Sequence, residues 1–132
     1  MSTATVLVVD DEPLVLELAE RALARSGYDV LAVQSGSEAL EIVNTKRQIH
    51  VVVSDVVMPG MSGPELLKSV RRLSPSTALV LMSGYVSAED IDMAVLFVRK
   101  PFSVLALVGM VDRAMGSRPP RHRKRSSSSP AR

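Results

Sequence analysis

Residues 51–60 read VVVSDVVMPG. A β-branched apolar run leads into a single carboxylate, Asp55, and the chain then breaks at Pro59 and Gly60. Open α/β sheets build their sites in this way, with a buried strand carrying one reactive side chain to its C-terminal end and a loop following it. Asp55 is therefore read as the reactive group, with the rest of the chain as its support.

Outward from this stretch, short apolar runs alternate with helical patterns. Thr5–Val9 is a first strand ending in Asp10-Asp11-Glu12-Pro13. Pro13 suits a helix's first turn, and acids favour its N-terminus. Leu14, Val15, Leu18, Ala19, Ala22 and Leu23 form the expected apolar stripe of that helix, which Ser26-Gly27 stops. Tyr28–Val33 is a second strand. A second helix starts at Ser35-Gly36-Ser37 and turns Ala39, Leu40 and Val43 inward. The third strand is Ile49–Ser54, and a third helix opens at Pro64-Glu65 with Leu66, Leu67 and Val70 as its apolar face. Ala78–Met82 is a fourth strand, Ala88–Met93 a short helix, Val95–Val98 a fifth strand and Ser103–Met115 a closing helix. Five alternations, with strands apolar on both faces, predict an α/β fold with a parallel sheet covered on both sides and right-handed crossovers.

The 132 residues are 46% apolar and only 3% aromatic, so the core is aliphatic and one domain is expected. Cysteine is absent, which excludes disulfides, thiolate chemistry and Cys-based zinc sites. His50 and His122 are too few for a histidine-rich metal centre. No apolar run has the length of a membrane span, and the N-terminus lacks a signal-peptide pattern, so a cytoplasmic protein is expected. The net charge of +2 is uneven. Residues 1–116 hold ten Lys/Arg against fourteen Asp/Glu, whereas residues 117–132 hold six Lys/Arg and no acid. We therefore expect a folded domain over 1–116 and a basic, disordered tail over 117–132. The tail would either attract a weak anionic partner (nucleic acid, an acidic protein or anionic lipid) or serve only as a solubilising end.

In a parallel sheet all strand C-termini lie on one edge, so Asp10, Asp11, Asp55, Ser83 and Lys100 converge there. Three carboxylates in one small site repel unless a cation joins them. Mg2+ suits oxygen ligands, with Asp11 and Asp55 as direct ligands and Asp10 acting through water. A carboxylate flanked by Mg2+, an ammonium and a hydroxyl is equipped to become an aspartyl phosphate, because each neighbour stabilises charge on the transferring phosphoryl oxygens. The plainer alternatives are that Asp10-Asp11-Glu12 only cap the first helix, that Ser83 is a turn residue and that Phe97 is ordinary core.

Four motifs in order, VVDDEP, SDVVMPGMSG, LMSGY and RKPF, resemble the receiver domains of two-component response regulators over residues 5–115. The resemblance implies a doubly wound, flavodoxin-like sheet of strand order 2-1-3-4-5. It also implies Asp55 as phosphoacceptor, Asp10 and Asp11 as the acidic pair that positions Mg2+, and the backbone carbonyl of Val57 as a further ligand. Ser83 and Lys100 become the hydroxyl and ammonium that meet the phosphoryl group. Lys100–Pro101 becomes a cis bond, and Phe97 a switch aromatic that follows Ser83. The donor would be a phosphohistidine on a sensor histidine kinase or a histidine phosphotransfer protein, and a downstream protein target would read the switched face.

Some features depart from the family. The span from Ser83 to Lys100 is more than a helical turn shorter than in receivers, so a shortened fourth helix is expected. Val57 and Tyr85 are bulky and are expected to limit water access to Asp55. A stand-alone receiver is expected, with a receiver fragment of a hybrid histidine kinase as the alternative. A haloacid-dehalogenase-type phosphatase would need Asp-x-Asp after the first strand, and Asp10-Asp11-Glu12 lacks the second Asp. The chain is thus expected to be a switched module and not an enzyme.

Overall fold

The computed structural model describes residues 3–45, 47–84 and 96–117. The elements run β1 (Thr5–Val9), α1 (Pro13–Arg25), β2 (Asp29–Val33), α2 (Gly36–Asn44), β3 (Val51–Asp55), α3 (Gly63–Leu73), β4 (Ala78–Ser83), β5 (Leu96–Arg99) and α4 (Val104–Ser117). The five strands pair in parallel, in the order β2-β1-β3-β4-β5.

The strands alternate their side chains between two cores. Val6, Val8, Val51, Val53, Val80 and Met82 pack against Leu16, Ala19 and Leu23 of α1 and Leu107, Val111 and Ala114 of α4. Leu7, Val9, Val52, Leu79 and Leu81 pack against Ala39 and Val43 of α2 and Leu66, Leu67 and Val70 of α3. Burial on both faces explains why β1 and β3 read as continuous apolar runs instead of alternating ones.

Helix ends follow local chemistry. Ser62 accepts from the Glu65 amide while the Glu65 carboxylate accepts from the Ser62 amide, a full capping box that starts α3. Ser35 caps α2 through the Glu38 amide. Gly27 takes φ 99°, a left-handed conformation that lets the chain leave α1 and enter β2.

Several boundaries differ from the sequence reading. β2 begins at Asp29, because the Tyr28 amide still bonds back to the Leu23 carbonyl. Asp55 is itself the last residue of β3, and β5, described over Leu96–Arg99, runs one residue past the expected end at Val98, while Val95 lies outside the described residues. The α1 stripe is also corrected. Leu14 is 81% and Leu18 45% exposed, and the inward residues are Leu16, Ala19, Ala22 and Leu23. At 3.6 residues per turn, Leu14 and Leu18 each stand about 200° from Leu16, so both rows cannot face the sheet. The expected short helix at Ala88–Met93 lies outside the described residues, as does the basic segment beyond residue 117. No described helix is long and apolar enough to cross a membrane.

Candidate functional site at the C-terminal edge of the sheet

Register places the reactive groups. Val9 pairs with Ser54, Asp55 with Met82, and Ser83 with Arg99. Asp10 follows Val9, and Lys100 follows Arg99, so both emerge beside Asp55 at the same edge. Asp10 is wholly buried, Asp55 is 8% and Ser83 4% exposed. Asp11 is the most solvent-facing of the three acids, and one carboxylate oxygen from each of Asp10, Asp11 and Asp55 lies within 4.8 Å of the others.

Lys100 ties the cluster together. Its Nζ lies 2.8 Å from Asp10 Oδ2, 3.1 Å from Asp55 Oδ1 and 3.5 Å from Glu12 Oε1. The Lys100–Pro101 peptide is cis, and the Lys100 amide donates to the Ser83 carbonyl at 2.8 Å. The second oxygen of Asp10, Oδ1, accepts the Glu12 amide at 2.9 Å. Asp55 Oδ1 accepts the Val56 amide at 3.0 Å.

Burial raises the Asp55 carboxyl above its ordinary pKa. The hydrogen bond from Lys100 opposes this, and the charge of Asp10 adds to it. For Lys100, burial works against the ammonium, but its hydrogen bonds to Asp10 and Asp55 and their charges outweigh burial and hold its pKa above the usual lysine value.

The structure thus brings Asp10, Asp11, Asp55 and Lys100 together and sets Ser83 at the adjoining strand end. Phe97 pairs with Leu81 and is half-buried on the α2/α3 side of the sheet. Val57 follows in the loop after β3. It is 77% exposed. Tyr85 lies outside the described residues.

Gly63 was not singled out from sequence. A Cβ there would sit 2.2 Å from the Asp55 carbonyl oxygen, and the Gly63 amide donates to the Val56 carbonyl at 2.8 Å. The available signal was a glycine directly after the cap of a Ser-x-x-Glu box.

Residues 6–112 match the family described as "Response regulator receiver domain". The chain belongs to this family. The receiver is 43% identical over 117 residues to the sensor kinase CckA of Brucella abortus, covering 83% of this chain and 12% of that protein. It is 34% identical over 116 residues to the DNA-binding transcriptional regulator NtrC of Klebsiella pneumoniae, covering 82% of this chain and 24% of that protein. The chain therefore spans less than a quarter of the length of either relative. Among solved structures, the chemotaxis protein CheY4 of Vibrio cholerae superposes with a TM-score of 0.80 at 29% identity, covering 86% of this chain and 99% of that one. The receiver's strand order, 2-1-3-4-5, is the one the family resemblance implied.

Proposed function

We propose that this receiver works in phosphorelay signal transduction by accepting a phosphoryl group on Asp55. The donor is a phosphohistidine of a sensor histidine kinase or a histidine phosphotransfer protein. The observation that carries the reading is the position of the Lys100 ammonium, shared between Asp55 and the buried Asp10.

The donor set suits Mg2+, since Asp10, Asp11 and Asp55 offer three converging hard oxygens. Asp10, Asp11, Asp55 and the Val57 backbone carbonyl would hold it. When bound, the ion neutralises charge on phosphoryl oxygens. An oxygen of Asp55 attacks phosphorus, the P–N bond breaks, and its electron pair leaves on the donor imidazole. Lys100 donates to a phosphoryl oxygen, and the Ser83 hydroxyl donates to another. Movement of Ser83 toward the phosphoryl group and a rotamer change at Phe97 then bias an existing pair of conformers, and a downstream protein target reads the altered face. The receiver unit covers residues 1–116, residues 117–132 form a basic extension, and the protein works in the cytoplasm. It turns over no external phosphate ester.

A second reading, a receiver segment of a hybrid histidine kinase, is favoured by the 43% identity to a sensor kinase. Intact mass after incubation with acetyl phosphate and Mg2+ tests the shared chemistry. One phosphoryl group is expected on the wild type and none on Asp55→Asn. Equal uptake by both proteins, or steady turnover of a generic phosphate ester, overturns the proposal.

A further inference from the structure

Ser54 is a hydroxyl in an otherwise apolar run and is wholly buried. An unbonded hydroxyl there would be costly, so its partner matters. It donates to the backbone carbonyl of Asp55 at 2.9 Å. That carbonyl belongs to the peptide joining Asp55 to Val56. At the other end of the same peptide, the Val56 amide reaches two acceptors, the Met82 carbonyl on β4 at 3.1 Å and Asp55 Oδ1 at 3.0 Å. Gly63 closes the remaining side, since its α-carbon passes so near the Asp55 carbonyl that a Cβ would overlap it.

One planar unit is therefore clamped by a side-chain hydroxyl, by β4 and by the start of α3. Because the peptide is rigid, fixing its carbonyl fixes the direction of its N–H. That N–H and the Lys100 ammonium both engage Oδ1 of Asp55. Oδ2 is then the oxygen presented for bond formation.

We propose that Ser54 is a positioning residue for Asp55. Its hydroxyl locks the Asp55–Val56 peptide so that the Val56 amide grips Oδ1 and turns Oδ2 toward the incoming phosphoryl group. The inference rests on Asp55 being the phosphoacceptor. The plainer reading is that Ser54 satisfies its own hydroxyl locally and does nothing further. That reading predicts a change in stability at most.

Ser54→Ala, Ser54→Cys and wild type are compared in two ways. In metal-free protein, the Val56 amide proton is followed by NMR, with Asp55→Ala marking the frequency it takes without a side-chain acceptor at that position. In Mg2+ and acetyl phosphate, the phosphorylation rate is read by intact mass well below each variant's melting temperature. In Ser54→Ala, the Val56 amide should move toward its Asp55→Ala frequency and the rate should fall about three- to tenfold, the worth of one hydrogen bond. Ser54→Cys, close in shape with a weaker donor, should fall between. A Val56 frequency and a rate that both stay at wild-type values in Ser54→Ala overturn the inference. Absence of phosphoryl uptake by wild type would instead remove the phosphoacceptor reading, and the metal-free amide comparison would still decide whether Ser54 orients the carboxylate.

Discussion

At the scale of single residues, the site is a balance of burial against pairing. Burial, reinforced by Asp10, lifts the Asp55 pKa, and Lys100 only partly offsets it. A carboxyl whose folded pKa lies above its unfolded value holds its proton more tightly in the native state. Its contribution to stability is present below the ordinary carboxylate pKa and is lost as pH rises through the raised folded value. In Mg2+-free buffer, Asp55→Asn should therefore gain melting temperature relative to wild type as pH climbs from below the carboxylate range to neutral. A difference that stays flat over that window in paired thermal melts contradicts this account. Gly63→Ala tests a different constraint. Its new Cβ would meet backbone that cannot rotate away, so the start of α3 must shift, at a cost of about 1–3 kcal/mol or more in denaturant unfolding. Phosphorylation of Asp55 should slow as well. Asp55, Asp10, Asp11 and Lys100 were legible in the chain because charged groups end apolar runs there. Gly63 was not, because it meets the Asp55 carbonyl through a distance that only the folded loop creates, and Ser54 was not, because the direction of its hydroxyl within the strand leaves no mark in the sequence pattern.

At the scale of elements, a helix's inward row is decided by what it packs on. In α4, Leu107, Val111 and Ala114 recur at i, i+4 and i+7 and are all buried, whereas Leu105 is 85% exposed. Leu107→Ala should cost about 2–5 kcal/mol in urea unfolding, while Leu105→Ser should change stability by less than about 0.5 kcal/mol. Similar losses for the two would mean that α4 is rotated from the orientation described. The same question misled the reading of α1. Its six apolar candidates span more than one face, and composition alone could not say that Leu16 goes inward while Leu14 faces water. The start of α3 lies at Gly63, one residue before the expected Pro64, and is fixed by Ser62 and Glu65, which satisfy each other within four residues. Tyr28 is a tertiary case. It packs at the edge of the α1/α4 core, and its hydroxyl donates to Asp112, which joins the entry of β2 to α4 across most of the chain. Burial and then that hydrogen bond push its phenol pKa upward.

At the scale of the whole molecule, the doubly covered sheet sets five strand ends side by side, and the site exists only in that assembly. Cation binding should therefore be felt as global stability. With Mg2+ at about a hundredfold excess over its Kd, unfolding free energy should rise by about 2.7 kcal/mol relative to chelator-treated protein. Asp11→Asn should lose most of that rise, measured by denaturant midpoints with and without the ion. An unchanged Mg2+ response in Asp11→Asn would place the ion elsewhere. By itself the chain determined the alternation of strand and helix, the aliphatic core and the residues that end each strand, because periodicity, β-branching and punctuation by Gly and Pro act over a few neighbours. Tertiary structure decided which face of α1 is buried, that one ammonium is shared among Asp10, Asp55 and Glu12, and that Gly63 and Ser54 bracket the Asp55 peptide. Apart from the Ser54 bond to its own neighbour, those outcomes depend on distances between groups far apart in sequence or across a loop, and such distances are set only when the sheet's register and the packing of both layers are fixed together.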